Sequence, residues 1–119
     1  MLVRDYLELK GYKGNITFIK ARARKDAHTP YYHYEYQTTP IINVDELYDR
    51  DSKLLDYIVL NDKQSPIDWL TNTGWTNWYN RGQLKSMLVV TKEDLQLVYR
   101  NPQQLESMIK RIDNELTKG

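Results

Sequence analysis

Residues 15–39 constrain the fold of this chain more than any other stretch. They hold two limbs of period-two patterning joined by a short polar connection. The first limb runs from Ile16 to Lys25 and the second from Tyr31 to Thr38. Strand side chains alternate between two faces, so parity divides each limb. In the first limb, Thr17, Ile19, Ala21 and Ala23 share one face, and Phe18, Lys20, Arg22 and Arg24 share the other. In the second, Tyr32, Tyr34 and Tyr36 line one face, and Tyr31, His33 and Glu35 line the other. The connection from Asp26 to Pro30 is longer than a two-residue turn. Pro30 falls where a second strand would begin, and a missing N–H does least harm there. The stretch predicts an antiparallel hairpin.

The small, largely apolar face of the first limb suits a core. The other face offers one ring and three long cations. Single-stranded nucleic acid is held by such a combination, because bases stack on rings and phosphates sit against Arg and Lys. The candidate nucleic-acid-binding residues are therefore Phe18, Lys20, Arg22, Arg24, Tyr32, Tyr34 and Tyr36. The same residues also have a plain structural reading. Tyr favours strands, and cross-strand Tyr and Arg pairs stabilise ordinary sheets. Parity alone leaves open which tyrosine face is exposed.

At 119 residues the chain is sized for a single domain spanning 1–119. It has no Cys, which removes disulfides and thiolate metal sites and fits a reducing compartment. The opening residues, Met1 to Asp5, are charged early and lack a long apolar run. A soluble cytoplasmic protein with no signal peptide and no membrane span is expected. Net charge is only +1, but it is unevenly placed. Lys10, Lys13, Lys20, Arg22, Arg24 and Lys25 occupy residues 10–25 without an acid. Asp45, Glu46, Asp49, Asp51 and Asp56 then crowd residues 45–56. Ten Tyr and three Trp against one Phe is a composition suited to half-exposed binding surfaces.

Along the rest of the chain, residues 2–10 allow a short helix, with Leu2, Tyr6 and Leu9 on one face and Gly11 ending it. Asn43 and Glu46 have capping-box spacing, so a short helix over 44–48 is expected. Leu54 to Leu60 reads as a buried strand, and Ile67 to Leu70 as a short further element. Gln83 to Val90 is apolar on both faces and reads as a strand buried on both sides. Thr91 would cap a helix from Lys92 to about Tyr99. Asn101-Pro102 is a start signal for a last helix over 102–117, with Leu105, Met108, Ile109, Ile112 and Leu116 at helical spacing. The order predicts an α+β fold: a small antiparallel sheet, or an OB-like barrel, of four to five strands with a C-terminal helix.

Residues for catalysis are sparse. No phosphate-binding Gly-rich loop occurs. His28 and His33, with Asp26 and Glu35 nearby, match no metal-ligand spacing and read as surface residues. The acids at 45–56 lie close in sequence around a cap and a loop, whereas a nuclease site draws acids from separate elements. No enzyme, cofactor or metal site is expected. Trp75, Trp78 and Tyr79 sit in a polar segment, where they would either plug the sheet or stack on bases. Trp75 is the better core candidate, and Trp78 joins the candidate nucleic-acid set.

The basic aromatic hairpin, the Tyr- and Asn-rich composition and the absence of Cys together resemble compact single-stranded DNA-binding proteins of bacteriophages from Gram-positive hosts. The resemblance spans residues 15–90. It implies an OB fold, a phage early protein for replication or recombination, and the host cytoplasm as its place. One departure is the ending Asp113 to Gly119, which continues a helix where that family often has a flexible acidic tail. The expected function is single-stranded DNA binding by stacking and phosphate neutralisation, in a homo-oligomer that doubles the binding track. The alternative is a phage-encoded protein-binding module, an inhibitor of a host protein or an assembly factor. It would use the Tyr/Trp surface and the acidic segment, without binding nucleic acid.

Overall fold

A computed structural model describes residues 1–62 and 84–118. Helix α1 spans Val3–Lys10 and buries Val3, Tyr6 and Leu7. The expected face is rotated, since Leu9 is 55% exposed. Residues 3, 6 and 7 have the i, i+3, i+4 spacing that sets one helical face on a neighbour. Gly11 ends the helix at φ 61°, a left-handed conformation that costs glycine little.

The hairpin follows as β1 (Asn15–Lys25) and β2 (Tyr32–Thr38), paired antiparallel from Ile19↔Thr38 to Lys25↔Tyr32. The chain then makes a two-residue strand, β3 (Ile42–Asn43), which pairs with Asn15 and Ile16 on the same side of β1. The register slips by one residue between these two pairings. Thr39 fills the break. Its N–H donates to the Phe18 carbonyl at 2.8 Å, and its Oγ1 accepts the Phe18 N–H at 3.0 Å. The Thr17 hydroxyl donates to the Thr39 carbonyl at 2.8 Å.

Helix α2 (Val44–Arg50) is capped by Asn43, whose side chain accepts the Asp45 N–H at 3.0 Å. Glu46 faces Arg50 at 4.0 Å. The strand expected over 54–60 divides. Ser52–Asp56 is a 3₁₀ turn that buries Leu54 and Leu55, and only Ile58–Asn61 forms strand β4. The apolar run 54–60 looks uniform in sequence, but its first part plugs the core from a turn.

Strand β5 (Leu84–Val90) is central and buried on both sides, as its pattern predicts. The sheet order is β2-β1-β5-β4, with β3 also on β1. Strands β1 and β5 run parallel, from Asn15↔Leu84 to Ala21↔Val90, while β4 is antiparallel to β5. The fold is therefore α+β with a C-terminal helix, on a mixed sheet. Among the described residues no pairing joins β2 to β4. Helix α3 (Lys92–Val98) is capped by Thr91, whose hydroxyl accepts the Asp94 N–H at 3.2 Å. Helix α4 (Pro102–Thr117) is capped by Asn101, which accepts from Gln103 and Gln104, with Pro102 in the first turn.

The sheet carries core on both faces. On one, Ile16, Phe18, Val59, Met87 and Val89 pack with Val3, Tyr6 and Leu7 of α1, Val44 and Leu47 of α2, and Leu54 and Leu55. On the other, Ala21 and Val90 pack with Leu95 of α3 and with Tyr34, Ile58, Leu88 and Tyr99. Helix α4 serves both. Leu105, Met108 and Ile109 join the second cluster, and Ile112 and Leu116 join the first. No helix among the described residues is long and apolar enough to cross a membrane.

Candidate nucleic-acid interface

The pairing of β1 with β5 ends at Ala21, yet β1 continues to Lys25. Residues 22–25 and 32–35 therefore form a two-stranded ribbon beyond the main sheet. Burial follows this change. Residues 16–19 are buried on both faces, whereas Arg22, Arg24 and Lys25 are exposed.

Register assigns each candidate to a face. Lys20 is opposite Gln37, Arg22 opposite Glu35, and Arg24 opposite His33. These six share one side of the ribbon, since directly opposed strand residues point the same way. Arg24 approaches Glu35 at 3.3 Å, a diagonal ion pair between exposed groups. His33 lies 3.7 Å from Asp26 and 3.9 Å from Glu35. Among the described residues Lys20 and Arg22 make no ion pair, so the face carries a cationic surplus.

The rings lie on the opposite side. Tyr32, Tyr34 and Tyr36 are opposed to Lys25, Ala23 and Ala21, on the side where Ala21 and Tyr34 join the second core cluster. The tyrosines and the cations Lys20, Arg22 and Arg24 thus do not form one mixed surface. Tyr34 is half-buried, with its ring centroid 6.3 Å from that of Tyr36 at a tilt of 49°. Its hydroxyl is buried and finds no hydrogen-bond partner among the described residues. Burial pushes the Tyr34 phenol up to about 12, helped by the nearby Tyr99, Tyr36 and Asp94. Tyr36 is 52% exposed.

Phe18 is corrected outright as a stacking residue. It is 0% exposed, opposite Met87 in the first core cluster. It shares parity with Lys20, Arg22 and Arg24, but it lies where helices cover that face. Trp78, with Trp75 and Tyr79, lies outside the described residues, as does the element expected at 67–70.

Two cations on the ring face were not among the candidates. Lys25 is opposite Tyr32. Arg100 sets its guanidinium 5.8 Å from the Tyr32 ring and donates to the Pro30 carbonyl at 3.2 Å. The pairing register sets Lys25 with the rings. Arg100 arrives from the link between α3 and α4, and nothing local in the sequence marks it.

The acidic segment is surface on α2 and the turn after it. Asp45, Glu46, Asp49, Asp51 and Asp56 are exposed, and Asp56 pairs with Arg4 at 2.7 Å. Among the described residues no three His, Asp or Glu side chains converge as a metal site. No family model, no curated protein and no solved structure matches the chain.

Proposed function

We propose that the protein binds single-stranded nucleic acid along the ribbon. Phosphates lie against Lys20, Arg22 and Arg24 on the cation face of β1. The observation that carries this reading is the row Lys20, Arg22 and Arg24 on one side of β1, with Arg22 and Arg24 on the ribbon that extends past the main sheet, against the single acid Glu35. Cations held at strand spacing suit a flexible phosphate backbone. Phosphate neutralisation is the larger part, because Tyr32, Tyr34 and Tyr36 lie on the face opposite these cations.

A protein-binding role is the second reading. It is favoured by the separation of rings and cations onto opposite faces, together with Tyr31 at 76% and Tyr36 at 52% exposed. Exposed Tyr is enriched in protein interfaces. Titration of intrinsic fluorescence with oligo(dT) at several salt concentrations decides between the two. Nucleic-acid binding predicts tighter binding to oligo(dT) than to duplex and a steep loss of affinity with salt. Absence of binding at low salt would reject it in favour of a protein partner.

A further inference from the structure

The ribbon is unfinished as a sheet. Two strands alone are marginal in water, and three or more are needed for independent stability. Strand β2 ends the sheet order, and among the described residues no strand pairs with its outer side. Proteins commonly blunt such an edge with Lys, Pro or a bulge inside the strand. Tyr32–Thr38, the sequence YHYEYQT, contains neither Lys nor Pro and pairs with β1 in unbroken register.

The geometry points to a second copy of this chain as the strand that completes the edge, paired antiparallel about a two-fold axis through Tyr34. The order of imidazole and carboxylate along β2 selects this register. With Tyr34 opposite its own copy, His33 falls opposite Glu35 of the second copy, and the symmetry makes that pair twice. Tyr32 falls opposite Tyr36 of the second copy, an aromatic cross-strand pair of a kind that stabilises sheets. Centring on Glu35 would instead set two carboxylates against each other, which is unfavourable. Centring on Tyr36 gives up both His–Glu pairs. Registers displaced by one residue would place the tyrosine face of one copy beside the cation face of the other.

The product is a four-stranded sheet, β1-β2-β2-β1, in place of two separate ribbons. On its cation side, Arg22 and Glu35 of one copy continue into His33 and Arg24 of the second. Glu35, which lies beside Arg24 and His33 within one chain, gains the second copy's His33 as a further neighbour. On the other side, the two sets of Tyr32, Tyr34 and Tyr36 adjoin. A C2 contact must be self-complementary, and this one is. It follows from the hairpin's pairing and holds whether or not nucleic acid binds.

The test uses no nucleic acid. Sedimentation equilibrium of the unmodified protein should give twice the monomer mass of 14.2 kDa in the upper micromolar range. A monomer mass throughout that range overturns the proposal. Register is tested by single cysteines, since the chain has none. Opposed antiparallel residues have Cα atoms about 4.5–5.5 Å apart, within reach of a disulfide. Tyr34→Cys should therefore form a disulfide-linked dimer under mild oxidation. Glu35→Cys should not, because its own copy lies on a diagonal at about 7–8 Å. A dimer that crosslinks equally at both positions, or at neither, rejects this interface. His33→Glu, which sets two acids opposite each other, should shift the protein toward monomer while its circular dichroism stays unchanged.

Discussion

The two halves of β1 differ although one pattern runs through both. From Ile16 to Ala21 the strand has β5 on one side, with β2 or β3 on the other through most of its length, and helices over its faces. From Arg22 to Lys25 it has only β2. Phe18 and Arg22 have the same parity, yet one is fully buried and the other exposed. Facing is thus set by the strand's alternation, and burial by how far its neighbours extend. A residue's role in this hairpin depends on which side of Ala21 it stands.

The comparison is broken most severely at Phe18. Phe18→Ala should lower stability by about 3–5 kcal/mol in a urea titration, as a large core ring is deleted where neighbours close in only partly. A loss below about 1 kcal/mol would mean the proximal half is not core.

On the distal half the same kind of change should act on binding. Replacing Arg22 and Arg24, together with Lys20 just short of the distal half, by Ala should leave the melting curve close to the parent's. The slope of log affinity for oligo(dT) against log salt should fall by about 2, since each contact with a single strand contributes roughly 0.7. An unchanged slope would assign the phosphate contacts elsewhere.

Tyr34 belongs to the distal half, opposite Ala23, yet is half-buried. Tyr34→Phe removes a buried hydroxyl that lacks a partner and should raise stability by about 1 kcal/mol. The phenol also links stability to pH. Its folded value of about 12 exceeds the ordinary 10, so the folded state holds the proton more tightly. That contribution is fully present below pH 10 and lost as pH rises toward about 12. The parent should weaken more steeply than Tyr34→Phe across that window, as read by denaturation at stepped pH.

The smallest effect is expected at Arg24 and Glu35. Both are more than half exposed, so Glu35→Gln should change thermal stability by less than about 1 kcal/mol. A larger loss would show that the ribbon depends on this pair.

The hairpin and the last helix were legible in the sequence because their signals are local. Alternation marks 16–25 and 32–38, and Asn101-Pro102 with recurring apolar residues marks 102–117. The depth of cover was not legible. Phe18 could be told from Arg22 only by knowing that β5 lies parallel to β1 and stops at Val90, a pairing between segments distant in sequence. Leu54 and Leu55, expected in a strand, instead reach the first core cluster from a 3₁₀ turn. For the candidate site, parity gave the composition of each face correctly. It could not combine the two limbs, because that needs the pairing register, and the register is what sets rings and cations back to back.

Thr39 bears on how this hairpin tolerates changes of length. The one-residue slip lets β2 and β3 lie along the same side of β1, with Thr39 completing hydrogen bonds across the gap. Because strand alternation has a period of two, removing one residue between Thr38 and Ile42 cannot be absorbed by a small shift. Either β3 leaves its place beside Asn15 and Ile16, or β2 turns its tyrosines outward and its acid and imidazole toward α3. The sequence of the hairpin can therefore vary widely at its exposed positions, while its residue count from 39 to 41 is held by arithmetic.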